Sequence, residues 1–412
     1  MTTDVFFDRP NTNTATMDAK GVSTPAASHT PSIAPQNAPS HDEDALPAPT
    51  EPTEEAALAA LDLGTNNCRL LIARPDAETF QVLDAFSRTV RLGEGLAATG
   101  ALSESAMKRT IEALHICAAK MRRWHVKRAR CVATEACRRA VNCEDFIQRT
   151  YQETGLVIQT ISSEEEASLA LSGCSPLLDH TKDRALVFDI GGGSTEISWL
   201  AVQQNAIPKT LDWISLPMGV VTLTEEFGGD LIETDVYANI VAMVNQHLSH
   251  FEQKNQIQQH IQADRVQMLG TSGTVTTLAG LHLGLPRYSR SRVDGSVLDF
   301  EHVEALSTKL AAMDFHQRAS FPCIGPERAD LVVSGCAILA SIRQIWPVGS
   351  LRVADRGVRE GILMALLEDG ESGKFDVAQS FALDPAKAPS SRSRKRSRRG
   401  GKRRKRTFFS SQ

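Results

Sequence analysis

The chain has 412 residues, 42% of them hydrophobic, and a formal net charge of −4. That length leaves room for two domains, each with its own core. There is no run of about 18 apolar residues, and no charged start followed by an apolar stretch, so neither a membrane span nor secretion is expected.

The charge is unevenly spread. From Arg392 to Arg406, eleven of fifteen residues are Lys or Arg, leaving 34 basic against 49 acidic residues elsewhere, a net −15. The body is acidic, so a polyanionic ligand needs local basic patches and a metal to approach it. The eight cysteines form no C-x-x-C pair, and the evenly spaced Cys131, Cys137 and Cys143 lack a metal-ligand pattern. Reduced core thiols are expected, and with them a cytoplasmic protein.

Residues 1–55 are rich in Pro, Thr, Ser and Ala without periodicity, and predict a disordered leader. An apolar run from Ala57 to Leu61 then meets Asp62-Leu-Gly-Thr-Asn-Asn67, followed by apolar Leu70 to Ala73. Arg88 to Gly95 reads as a basic strand ending in a glycine turn. Ser103 caps a helix whose buried stripe is Met107, Ile111, Leu114, Ala118 and Met121. Cys131 to Ala140 reads as a short strand running into a helix start, with Arg138 and Arg139 at the junction. A guanidinium there is able to clamp a phosphate bidentately.

The stretch Ser162-Ser-Glu-Glu-Glu-Ala167 opens an Ala/Leu-rich helix and supports two readings. Ser163 and Glu166 have capping-box spacing, which makes Glu166 structural and is favoured by spacing alone. Alternatively, one of the three clustered carboxylates is a general base, its proton affinity raised by its neighbours.

Ala185 to Phe188 is a buried strand, Asp189 ends it, and Gly191, Gly192, Gly193, Ser194 and Thr195 follow before Glu196 opens a second apolar run. Asp189 would take Mg²⁺ through its oxygens, and the glycine amides would take phosphate oxygens. This segment repeats the pattern around Asp62 at a distance of 127 positions, which predicts a duplicated domain with a cleft between the halves. Val266 to Val275 is a further strand ending in a glycine and hydroxyl turn at a helix start. Arg287, Arg290 and Arg292 lie in an expected mobile loop. Arg328 to Trp346 reads as a helix, Leu351 to Asp355 as a strand, and Arg356 to Gly361 as the lead into a closing helix. Alternating strand and helix signals give an α/β fold with mixed sheets flanked by helices.

Taken in order, these motifs resemble the Ppx/GppA family of exopolyphosphatases and guanosine pentaphosphate phosphohydrolases, over about residues 57 to 368. The resemblance rests on Asp62 to Asn67, Arg91-Leu-Gly-Glu-Gly95, Ala133 to Arg138, Ile161 to Ala167, Asp189 to Glu196, Gly270-Thr-Ser-Gly-Thr274 and Arg356 to Gly361. It implies two actin-like lobes with the active site in the cleft, drawn at residues 56–182 and 183–370, while the dense basic composition predicts a disordered tail over 371–412. It also implies that Glu166 activates the attacking water, and that Asp189 and Glu196 hold Mg²⁺, or Mn²⁺ as second choice. Asp62, Thr65, Asn66, Arg138, Gly191, Gly192, Gly193, Ser194 and Gly273 would bind substrate phosphates. Two departures stand out. The first loop reads Thr65-Asn-Asn67 where Ser-Asn-Ser is common, and the chain lacks room for the C-terminal HD-type domain of longer members.

The expected activity is release of terminal orthophosphate from inorganic polyphosphate, with conversion of pppGpp to ppGpp on the same site as the alternative. An ATP-dependent small-molecule kinase and a non-enzymatic polyanion binder are further alternatives. Nonspecific RNA, DNA or polyphosphate binding by the tail, and a homodimer, are also expected. Phe408 and Phe409 add slight evidence for base stacking by the tail.

Overall fold

Leu58, Ala59, Ala60 and Leu61 are all fully buried, and such a run forms a strand covered on both faces. In the computed structural model, which describes residues 56–372 except 77–78 and 205–206, that strand is central to the first of two sheets. The expected leader and the basic run Arg392 to Arg406 lie outside the described residues.

The first lobe is built from β1 (Leu58–Leu63), β2 (Asn67–Asp76), β3 (Thr79–Thr89), α1 (Glu104–Arg123), β4 (Arg128–Ala133), α2 (Glu135–Arg139), β5 (Ile158–Thr160) and α3 (Ser163–Cys174). The second contains β6 (Arg184–Ile190), β7 (Thr195–Ala201), β8 (Lys209–Leu216), α4 (Val220–Phe227), α5 (Thr234–Asn255), β9 (Val266–Thr271), α6 (Gly273–His282), β10 (Val297–Asp299), α7 (Val332–Ile345) and β11 (Ser350–Ala354). A closing helix, α8 (Val358–Ser372), follows.

The duplication is visible in the topology. The first sheet runs β3-β2-β1-β4-β5, and the second runs β8-β7-β6-β9-β11 with β10 added at its edge. In each, a three-stranded antiparallel meander is joined to parallel strands: β1 pairs antiparallel with β2 and parallel with β4, as β6 does with β7 and β9. The expected α/β fold, with mixed sheets flanked by helices, is the one observed.

Local signals explain most elements. Ser103 caps α1 by accepting from the Ala106 N–H at 3.2 Å, and Ile111, Leu114, Ala118 and Met121 bury against β1 and β2. Met107 is only partly buried. All eight cysteines are buried and free. No described helix is long and apolar enough to cross a membrane.

Four details differ from expectation. The closing helix, assigned by sequence to the second lobe, packs on the first sheet, where Ile362, Leu363 and Leu366 meet Leu58, Ala60, Leu71 and Val132. It continues to Ser372, past the position where the tail was drawn. Arg290 is held in a short helix by Glu360 at 2.7 Å. Finally, α7 begins at Val332, so Arg328 precedes it in a turn and is free to face the cleft.

Candidate active site

The tips of the two hairpins come together. In the first, Gly64 N–H donates to Asn67 O at 2.9 Å; in the second, Gly191 N–H donates to Ser194 O at 2.9 Å. The registers are equivalent as well: Asp62 lies opposite Arg69, and Asp189 opposite Glu196. The contact is so close that a Cβ on Gly193 would lie 2.8 Å from Thr65 Oγ1 and 2.9 Å from Glu135 Cγ. A side chain there would have to displace Thr65 or Glu135.

A cavity of ≈ 120 Å³ sits where the lobes meet, and Asp62, Thr65, Asn66, Glu166, Asp189 and Ser194 are among the residues that line it. Gly191, Gly192, Gly193 and Gly273 line it too. The backbone N–H groups of Gly192, Gly193 and Ser194 have no backbone partner among the described residues, nor do those of Thr65 and Asn66. Gly273 and Thr274 add the orphan N–H groups that any helix start carries. Three loops thus turn uncommitted donors into one small space, an arrangement that suits a phosphoryl group. The third loop is strained: Ser272, the N-cap of α6, has φ 151° and ψ 170°, a conformation that costs a side-chain-bearing residue about 1–3 kcal/mol and clusters at functional sites.

Glu166 reaches this cavity because α3 starts one residue earlier than its capping-box spacing suggested. Ser162, not Ser163, is the N-cap, and it accepts from the Glu165 N–H at 3.1 Å. The third helical residue is therefore Glu165, which pairs with Arg130. The cap reading of Glu166 is thereby overturned, since a shift of one residue turns its side chain about 100° around the helix. Glu166 Oε2 instead accepts from Arg138 Nη1 at 2.7 Å.

Two expected site residues stand behind the cavity wall. Arg138 occupies the last turn of α2 and donates to Glu166, to Glu135 Oε2 at 2.8 Å and to Ile161 O at 3.1 Å. Glu196 is 4% exposed and accepts from Ser215 Oγ at 2.8 Å and from the Ser194 hydroxyl. The sequence reading missed Arg69 and Arg328, which line the cavity from opposite lobes. Arg69 was legible as the partner of Asp62 in a hairpin equivalent to that of Asp189 and Glu196, whereas Arg328 is brought in only by tertiary folding. Burial, together with the nearby Arg69, disfavours the Arg328 charge.

The carboxylates carry strongly raised proton affinities. Burial first, and then repulsion from Glu196, pushes Glu166 up to about 8 despite Arg138. Burial and the Glu166 charge push Asp189 up to about 7, and burial raises Glu196 to about 7. Asp62 is raised by burial as well. Clustered, dehydrated carboxylates of this kind fit a hard cation. Asn66 Oδ1 fits too, being buried without a hydrogen-bond partner. Among the described residues no three His, Cys, Asp or Glu side chains are grouped as an all-protein metal cage. Magnesium-type sites commonly use one or two carboxylates plus substrate oxygens, and this donor set matches that pattern.

The model of the Ppx/GppA phosphatase family matches residues 71–369. The chain belongs to that family. Membership makes it a phosphatase-type hydrolase, and the relatives agree. A Haemophilus influenzae protein named "Putative exopolyphosphatase" is 26% identical over 316 residues, covering 75% of this chain and 91% of that one. The crystal structure of the Aquifex aeolicus member of the Ppx/GppA family is 28% identical, with a TM-score of 0.63 over 76% of this chain and 98% of its own. An exopolyphosphatase from Cytophaga hutchinsonii, 23% identical, shares the fold with a TM-score of 0.66 over 76% of this chain and 98% of its own.

Proposed function

We propose that this protein is an exopolyphosphatase that removes terminal orthophosphate from inorganic polyphosphate by hydrolysis of a phosphoanhydride bond. The observation that carries this reading is the meeting of Glu166 with three sets of uncommitted amides in one cavity. The amides of Gly192, Gly193, Ser194, Thr65 and Asn66 would bind the terminal phosphoryl oxygens and fix them for in-line attack. Arg69 and Arg328 supply positive charge toward the rest of a polyanion.

Glu166 would take a proton from the attacking water. Its Oε2 is held by Arg138, which fixes the carboxylate's direction, and its affinity for a proton sits near the working pH. Asp189, which lines the cavity, is the residue that would hold Mg²⁺ or Mn²⁺, and Glu196, expected as a second ligand, stands behind it and would add negative charge. When bound, such a cation offsets phosphate charge and polarises the phosphoryl group. Thr65 keeps a hydroxyl in the first loop, although the third position of that loop is Asn67.

The deciding experiment measures phosphate release from polyphosphate and from pppGpp side by side, with Mg²⁺ and with chelator. Faster metal-dependent release from polyphosphate supports the proposal. Preferential turnover of pppGpp moves the assignment to the sister activity, and no release from either substrate rejects both.

A further inference from the structure

The turn Arg91-Leu-Gly-Glu-Gly95 has no part in the chemistry above, yet it touches both lobes. On its own lobe it is fixed to the first phosphate loop. The N–H groups of Val90 and Arg91 donate to Asn66 O at 2.8 and 2.9 Å, and that of Gly93 to Thr65 O at 2.9 Å. A Cβ on Gly93 would lie only 2.4 Å from Thr65 Cγ2. From behind, Arg109 of α1 donates to Val90 O at 3.1 Å and pairs with Glu94. The turn is therefore rigidly part of the first loop. Arg91 itself has φ 48°, a left-handed conformation that side-chain-bearing residues seldom adopt.

On the other side, the turn and Thr89 at the end of β3 bond across to the second lobe. Arg91 Nη2 meets Asp330 Oδ2 at 2.9 Å, Thr89 Oγ1 donates to Glu327 Oε2 at 2.9 Å, and Gly95 N–H donates to Glu225 Oε1 at 2.8 Å. Glu327 and Asp330 flank Arg328 in the cavity wall, and Glu225 belongs to α4, whose first residue, Val220, also lines the cavity. We propose that this turn is an interlobe latch in which Arg91 and Asp330 are positioning residues, holding the first phosphate loop in register with Arg328 and α4. A lone exposed ion pair is worth little, but here the Arg91 pair acts together with the bonds from Gly95 and from Thr89 at the end of β3. The kinetic side of the proposal rests on the hydrolase reading above; the geometric side does not.

The test is charge reversal in the full-length protein. Spin labels go on cysteines at exposed Arg123 of α1 and Gln246 of α5, since the eight native thiols are buried. Interlobe distances are measured by pulsed dipolar spectroscopy, and kcat/KM on polyphosphate is measured alongside. Arg91→Asp is compatible with the left-handed backbone, which Asp tolerates. Asp330→Asn is a milder second variant that keeps the side-chain shape. Arg91→Asp, Asp330→Arg and Asp330→Asn should each lengthen or broaden the distances and lower kcat/KM about fivefold. The double reversal should restore both. Single variants with the parent's distances, or a double reversal no better than its components, overturn the latch. A parent that releases no phosphate rejects the hydrolase reading, and the distances still decide the latch.

Discussion

Arg138 Nη1 donates to Glu166 Oε2 at 2.7 Å, with both side chains about 85% withdrawn from solvent (16% and 14% exposed). The guanidinium comes from the end of a five-residue helix and the carboxylate from the first turn of α3, 28 positions later. The pair places an oriented carboxylate at the wall of an amide-lined cavity. Arg138, expected to bind substrate phosphate, instead grips Glu166 and Glu135, which line the cavity that Arg138 does not.

Glu166→Gln keeps the side chain's shape and removes its ability to accept a proton. Turnover on polyphosphate should fall by about 10²–10⁴, the usual span for a lost general base, with unchanged thermal unfolding. Steady-state kinetics beside a melting curve checks this. Turnover within about a factor of three of the parent would remove Glu166 from the role.

Arg138→Gln leaves Glu166 buried with neither guanidinium nor counter-charge. Where the pH is high enough to ionise Glu166, such a break costs up to about 3–5 kcal/mol, less here because both groups keep some exposure and because Glu166 takes up a proton at lower pH. Glu166 should then hold its proton more tightly, moving the acid limb of the rate profile to higher pH. The double variant Arg138→Gln/Glu166→Gln should unfold at a higher temperature than Arg138→Gln alone, since no charge is stranded. A double variant less stable than the single would show that the pair is not what Arg138 contributes.

Gly193→Ala tests the loop contact. With a Cβ 2.8 Å from Thr65 Oγ1 and 2.9 Å from Glu135 Cγ, the Thr65 or Glu135 side chain must move and disturb the first loop or the wall beside Glu166. Overpacking of this kind costs about 1–3 kcal/mol, and kcat/KM should fall by at least tenfold because the donors no longer converge. Parent-like kinetics would show that the contact is incidental.

The raised carboxylates make stability depend on pH in a stated direction. Glu166 is pushed up to about 8, and Asp189 and Glu196 to about 7, so between the ordinary carboxylate range and these values the folded protein binds more protons than the unfolded chain. Their contribution is fully present below the ordinary range and is lost as pH rises through about 7–8. In chelator, the melting temperature should fall from about pH 6 to about pH 8.5. Added Mg²⁺ should raise it, and more so at the higher pH, where the carboxylates are ionised. A chelated protein that gains stability over that interval would contradict the burial of these charges. In the rate profile, the acid limb should lie well above the range of an ordinary carboxylate, since the base must lose its proton to act.

Much of this protein could be read along the chain. Local apolar runs and glycine turns gave both hairpins, and their repetition gave two lobes, because strand and turn chemistry acts over a few residues and does not depend on distant partners. The cap at Ser103 belongs to the same class, as do the turns after Asp62 and Asp189, each strand running one residue past its aspartate. Tertiary structure decided the rest. It turned Glu166 toward the cavity, because one residue of helix register sets which way a side chain faces. It placed α8 on the first sheet, because Ile362 and Leu363 find their apolar partners there, some 300 positions back along the chain. It also brought Arg328 opposite Arg69 and Arg91 onto Asp330, contacts between lobes that local sequence preference has no means of encoding.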